Sequence, residues 1–181
     1  MGRRQRAKHI ELTADDIISG FCFRALSRRG PHKVYPNYYI GPWECDILEI
    51  TKAGYTYEYE VKISRNDFNV DFKKQNRGSK KHDVLKAGDR VNYFSFVVPE
   101  GLIDPSEVPE FAGLIYVRGC EGNVLNEKGE ILAQKRVLFS TVKEPQKLKA
   151  DKITPEEIEA INHRIYYRYH MIRLKLAGSK L

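Results

Sequence analysis

At 181 residues, with 41% hydrophobic and 30% charged side chains, the chain has material for one domain with a proper core, and its composition is globular rather than disordered. No apolar run approaches the roughly 18 residues that a membrane-spanning helix needs, and the basic start Met1-Gly2-Arg3-Arg4-Gln5-Arg6 has no apolar segment behind it, which predicts no secretory leader. Lys and Arg outnumber Asp and Glu by 31 to 24, and the net charge of +7 favours a polyanionic partner such as nucleic acid.

Residues 1–11 read as a basic flexible tail. Thr13-Ala14-Asp15-Asp16 is a helix start, with Thr13 as N-cap and an acidic first turn. Ile17, Ile18, Phe21, Cys22, Ala25 and Leu26 continue it at helical spacing until Gly30-Pro31. Val34–Ile40 and Glu44–Thr51 read as strands around Gly41-Pro42. Lys52-Ala53-Gly54 turns the chain into Tyr55–Ile63, a strand of nearly strict alternation. Tyr55, Tyr57, Tyr59, Val61 and Ile63 take one face; Thr56, Glu58, Glu60 and Lys62 take the other. Asp67–Gln75 and Lys80–Ala87 are predicted short helices with a break at Asn76–Ser79. Val91–Val98 and Phe111–Val117 are predicted strands, and Asn123–Leu132 a small hairpin around Lys128-Gly129. A charged linker, 143–151, leads to a last helix that opens on Thr154-Pro155-Glu156-Glu157, a capping box with proline at the first helical position. Its apolar stripe is Ile158, Ile161, Ile165, Tyr169 and Ile172, and Arg164, Arg168, Arg173 and Lys175 crowd its later turns. The expected class is α/β: a mixed β-sheet flanked by helices over 12–142, with 143–181 a linker and a C-terminal amphipathic helix packing on the core.

The constellation that bears on chemistry is Asp46 on one strand with Glu60 and Lys62 on the next. Glu60 and Lys62 are two apart and share a face, and the short turn brings Asp46 toward Glu60 across the ladder. Two adjacent carboxylates make a hard oxygen site suited to Mg²⁺ or Mn²⁺. Such an ion polarises a phosphoryl oxygen and acidifies a bound water, and a neighbouring lysine orients that water or offsets developing charge. Spacing alone also describes the solvated face of an amphipathic strand, with Asp46 a turn residue. The five histidines have no ligand spacing, and no glycine pair forms a phosphate loop. Cys22, Cys45 and Cys120 form neither a zinc spacing nor a disulfide framework, which suits a reducing compartment.

Glu44-Cys45-Asp46, then thirteen residues, then Glu60-Val61-Lys62 resembles the signature of the PD-(D/E)xK nuclease superfamily. The segments Thr13–Ile17, Val61–Phe68, Asp89–Pro99 and Phe111–Ile115 resemble successive blocks of its MmcB-like DNA-repair branch, over roughly residues 12–120. The resemblance implies a restriction-endonuclease-like core whose hairpin carries a divalent metal for DNA cleavage. Asp46 then matches the strand aspartate, Glu60 the metal-binding acid and Lys62 the catalytic lysine. Asp16 matches an acidic position near the metal, although capping already explains an aspartate there. Glu11 is a poorer rival for that place, and Gln75 matches a polar residue on the following helix. Cys45 stands where many relatives carry proline or alanine. Glu44 stands where the MmcB-like proteins tend to be basic, and it would add a metal ligand or repel a phosphate.

Lys73, Lys74, Arg77, Lys80 and Lys81 follow the catalytic strand without an intervening acid and are the expected contacts to a DNA backbone. Nothing in the sequence reads base edges. The expectation is a metal-dependent DNA endonuclease or nuclease-like repair protein, structure-selective or weakly sequence-specific, in the cytoplasm of its own or a host cell. The partner is DNA with no membrane, and a homodimer is compatible with the sequence. The alternative is a non-catalytic nucleic-acid-binding module on the same fold.

Overall fold

The computed structural model describes residues 10–27, 32–76, 78–88, 90–125 and 131–178. In chain order the elements are α1 (Ala14–Ser27), β1 (Lys33–Ile40), β2 (Trp43–Ile50), β3 (Thr56–Val61), α2 (Arg65–Asp71), the short β4 (Gln75–Asn76) and β5 (Ser79–Lys80), α3 (Lys81–Ala87), β6 (Tyr93–Pro99), β7 (Gly113–Leu125), β8 (Ile131–Lys143) and α4 (Pro155–Leu176). Six strands make one mixed sheet in the order β1-β2-β3-β6-β7-β8, and β4 pairs with β5 apart from it. β1, β2 and β3 form an antiparallel meander. β3, β6 and β7 run parallel, and β8 returns antiparallel along β7.

Local chemistry sets the helix boundaries. The Thr13 amide donates to Asp16 and the Asp16 amide to Thr13 Oγ1, so α1 starts on a reciprocal cap. Thr154 and Glu157 do the same for α4, with Pro155 behind the cap. Ser64 Oγ accepts the Asp67 amide and starts α2. α3 stops at Gly88 with φ +82°, and a Cβ there would also come within 2.7 Å of the Lys149 nitrogen. Only glycine meets both demands.

The alternation of β3 sorts the two faces of the sheet. Tyr59 and Val61 pack with Ile47 and Val97 against Ile17 and Phe21 of α1. On the other face Phe94, Phe96 and Val98 of β6 pack with Phe68 of α2 and Leu85 of α3. Farther along, Ile161 of α4 is buried among Tyr35, Tyr38, Leu48 and Ile50 of the meander, with Ile158 and Ile165 beside it. Each such buried aliphatic or aromatic side chain contributes about 1.5–3 kcal/mol.

Several expectations change. The helix predicted over 67–75 ends earlier, at Asp71. The break after it is the β4–β5 pair, with Arg77 outside the described residues. The strand at 111–117 and the hairpin at 123–132 are one long antiparallel ribbon, paired from Leu114↔Lys143 to Leu125↔Ile131. Lys128-Gly129 lies outside the described residues, as do the basic residues 1–9. Within this ribbon Gly119 marks a close approach: a Cβ on it would sit 2.6 Å from the Ile10 carbonyl oxygen. The charged segment 143–151 is not a free linker, because the Leu148 amide donates to the Asn92 carbonyl at 2.8 Å and its side chain is buried. No helix among the described residues is long and apolar enough to cross a membrane.

Candidate functional site

β3 carries the site. Its period of two sends Glu58, Glu60 and Lys62 to one face, where they are 0%, 1% and 3% exposed. This excludes a solvated strand face. An unpaired charge cannot persist at such depth, so these groups must satisfy one another.

Partners arrive from distant segments. Lys62 Nζ donates to Glu60 Oε2 at 2.9 Å and lies 3.1 Å from Asp71 Oδ1, at the end of α2. Lys81, at the start of α3, has no exposed surface; its ammonium donates to Glu60 Oε1 and sits 3.0 Å from Glu58 Oε1. Arg90 forks onto Glu58, with Nη2 3.0 Å from Oε1, and also donates to the Ile40 carbonyl at 2.7 Å. Lys74 Nζ reaches Asp71 Oδ1 at 2.7 Å and Glu60 Oε2 at 3.5 Å. His82 Nε2 lies 2.8 Å from Asp71 Oδ2, and the ring stacks 4.5 Å from Phe72.

Titration follows from this geometry. Burial pushes the Glu60 carboxyl up, but Lys81 and Lys62 more than reverse it and hold it below its ordinary value. Burial works the same way on Asp71, and the His82 bond with the Lys81 and Lys62 charges holds it far below the carboxylate range. Burial draws the Lys62 and Lys81 ammoniums down, yet the facing carboxylates keep both above the lysine range. Asp46 behaves oppositely. Burial, and then the Glu60 charge, push its carboxyl up to about 6.

Asp46 occupies an irregular point in the meander. The β2–β3 ladder ends at Ile47↔Tyr59, which sets Asp46 across from Glu60, and its Oδ2 accepts the Val61 amide at 2.6 Å. The β1–β2 ladder pairs Tyr38 with Cys45 and Pro36 with Ile47, skipping Asn37 and Asp46. Asn37 has φ +49°, a left-handed conformation that asparagine tolerates better than most residues. Asp46 Oδ1 makes no hydrogen bond or ion pair to the described residues.

The other residues marked in the sequence divide sharply. Asp16 does not join Asp46 and Glu60: its carboxylate caps α1 and pairs with Lys135 at 2.9 Å, and α1 covers the opposite face of the sheet. Glu11 is exposed, and its carbonyl accepts from Lys135. Glu44 is exposed on β2 opposite Tyr39. Gln75 is exposed in β4 rather than on a helix, because α2 has already ended. Lys73 and Lys80 face solvent. Lys81 is withdrawn from any backbone contact by Glu58 and Glu60, and Lys74 is drawn toward Asp71. Sequence reasoning missed Glu58, Asp71, His82 and Arg90. The repeat Glu58-x-Glu60-x-Lys62 was a usable signal for the first, since three charges at period two on a central strand demand partners. The rest come from three separate segments and left no local mark.

A small hard cation needs one or two carboxylates and room for water. Asp46 and Glu60 meet that in kind and number, provided Lys81 gives up Glu60 Oε1. No group of three or more His, Cys, Asp or Glu side chains among the described residues converges as a metal cage. The formal charges of Asp46, Glu58, Glu60 and Asp71 are matched by Lys62, Lys74, Lys81 and Arg90.

No protein-family model matches the chain. No curated protein matches it either. Among solved structures, a protein of unknown function from Silicibacter pomeroyi is similar over 93% of this chain and 94% of that one, with a TM-score of 0.55 and 15% identity. At that identity the likeness shows a shared fold: a mixed sheet flanked by helices, with a further helix at the C-terminus.

Proposed function

We propose that the chain is a metal-dependent DNA nuclease of the PD-(D/E)xK kind, acting at Asp46, Glu60 and Lys62. The observation that carries the reading is the placement of Asp46 across from Glu60 with the Lys62 ammonium on Glu60. Asp46 and Glu60 would hold Mg²⁺ or Mn²⁺, which supplies Lewis-acid polarisation of a phosphoryl oxygen and a water acidified toward neutrality. Lys62 is fixed between Glu60 and Asp71, so its charge is oriented before substrate arrives. Asp71 is then a positioning residue for that lysine. Lys81 must release Glu60 for the site to open. Plasmid nicking with Mg²⁺ and Mn²⁺ against EDTA tests the reading. Wild type should nick, and Asp46→Asn and Glu60→Gln should not. Lys62→Ala should lose turnover far more than affinity; nicking by all three variants at the parent rate refutes the assignment.

A second reading, a nucleic-acid-binding module without hydrolysis, has one specific observation in its favour. Lys81 occupies the inner oxygen of Glu60, and the cluster balances its formal charges without a metal. DNA binding that falls with salt, unaccompanied by nicking under either ion, selects it.

A further inference from the structure

The last helix has a half that the fold does not use. Ile158, Ile161 and Ile165 seat its first turns on the meander. Beyond Ile165 its hydrogen bond to the rest of the described chain is Arg168 Nη1 to the Asn37 carbonyl, at 2.7 Å. Tyr166, Tyr169 and Leu176 are 70%, 57% and 83% exposed, and Tyr167 and Ile172 are exposed as well. From Ala160 to Leu176 the chain carries Arg164, Arg168, Arg173 and Lys175 and not one acid. Tyr166, Tyr169 and Arg173 stand at i, i+3 and i+7 and so share one side of the helix.

Charge decides between the occupants of such a surface. A second copy packed through this same half would set its arginines and lysine against these, with no acid in either half to meet them, which is repulsive. A membrane-lying helix needs a broad face of large apolar groups, whereas this surface is mostly tyrosine, with Ile172 and Leu176 its exposed aliphatics. Phosphates suit the cations, and exposed tyrosine rings suit bases with a free face, which a duplex does not offer. Position adds to this. Asn37, which receives Arg168, stands across the β1–β2 ladder from Asp46, so this half of α4 begins beside the strand pair that carries Asp46.

We propose that the second half of α4 binds single-stranded nucleic acid, with phosphates on Arg173 and Lys175 and bases stacked on Tyr166 and Tyr169. The inference deepens the nuclease reading by naming the surface and the strand form, and it rests on nucleic acid being the substrate.

The test is fluorescence anisotropy of the full chain with a labelled oligothymidylate of about 30 nucleotides, longer than the roughly 4–16 that one fold tracks, and with the matching duplex. The parent should prefer the single strand. Y166A/Y169A should weaken single-strand binding at least about tenfold, since each removes a ring on which a base stacks, while Y166F/Y169F keeps it. R173A/K175A should flatten the slope of log K against log salt by about 1.4. Circular dichroism should match the parent in every variant, because these side chains are exposed. Parent affinity in the alanine variants overturns the proposal, and so does equal weakening on both strand forms without rescue by phenylalanine. Binding to phosphatidylserine vesicles but to neither oligonucleotide, or sedimentation as a dimer that R173A/K175A disrupts, also overturns it. The fate of the catalytic reading is separate: a chain that binds oligonucleotide through α4 yet nicks nothing leaves the α4 assignment standing.

Discussion

Two stretches of the chain are rich in lysine and arginine and poor in acid, and they meet opposite fates. In the segment 73–81, Lys81 is buried against Glu58 and Glu60, and Lys74 leans onto Asp71. In 164–175, no carboxylate lies within reach along the helix, and Arg173 and Lys175 stay in water. The difference is not in the basic residues. It lies in β3, whose inward carboxylates need cations and take them from the nearest segment. A basic run is thus left in water only where no buried acid of the fold draws it in.

Breaking the first segment should have the largest effect. Lys81→Met strands Glu58 and Glu60 without their shared cation, and should cost about 3–5 kcal/mol in urea denaturation. Arg173→Met should stay within about 0.5 kcal/mol. Equal stability of the two variants would dissolve the contrast.

Asp46 gives the next effect, with a sign of its own. Its folded carboxyl titrates near 6, above the ordinary 3.8. The folded state therefore holds the proton more tightly, and this group's contribution is complete below pH 4 and lost as pH rises through 6. At pH 7.5 ionised Asp46 costs on the order of 3 kcal/mol. Asp46→Asn, which keeps an oxygen for the Val61 amide, should stabilise the chain at pH 7.5 by up to about that amount. The gain should vanish near pH 4, and denaturation of both proteins at the two pH values checks it.

Smaller effects sharpen the comparison. Lys74 is partly exposed, so Lys74→Ala should cost only about 1 kcal/mol. Lys73→Ala and Lys80→Ala should fall within about 0.5 kcal/mol. A loss above 2 kcal/mol for either, by the same urea assay, would mean that the buried cluster reaches farther than its ion pairs.

What the sequence disclosed was local. Thr13 with Asp16, and Thr154 with Glu157, announce helix starts because a cap is written in four consecutive residues. The Tyr55–Ile63 alternation announces a strand for the same reason. The burial of its charged face was not legible, since Glu58, Glu60 and Lys62 have the pattern of a solvated edge until α2 and α3 are placed over them. Asp46 opposite Glu60 was readable through the short turn. Lys81 was misread because its partners lie more than twenty residues upstream. The β7–β8 ribbon extends beyond the strand expected to end at Val117, because the apolar run stops there while the pairing with β8 continues to Leu125.

The joint between β1 and α4 has a consequence in time. Tyr35 Oη donates to Asn162 across 127 residues, and Arg168 to the Asn37 carbonyl across 131. The meander can pair as soon as β3 is made, but the helix that covers Tyr35, Tyr38 and Leu48 follows only after α2, α3 and the strands from β4 to β8 have been made. Closing so long a loop is slow relative to local pairing. The nascent chain therefore carries an uncovered aromatic sheet surface until α4 emerges, and that interval is when a chaperone has most to hold.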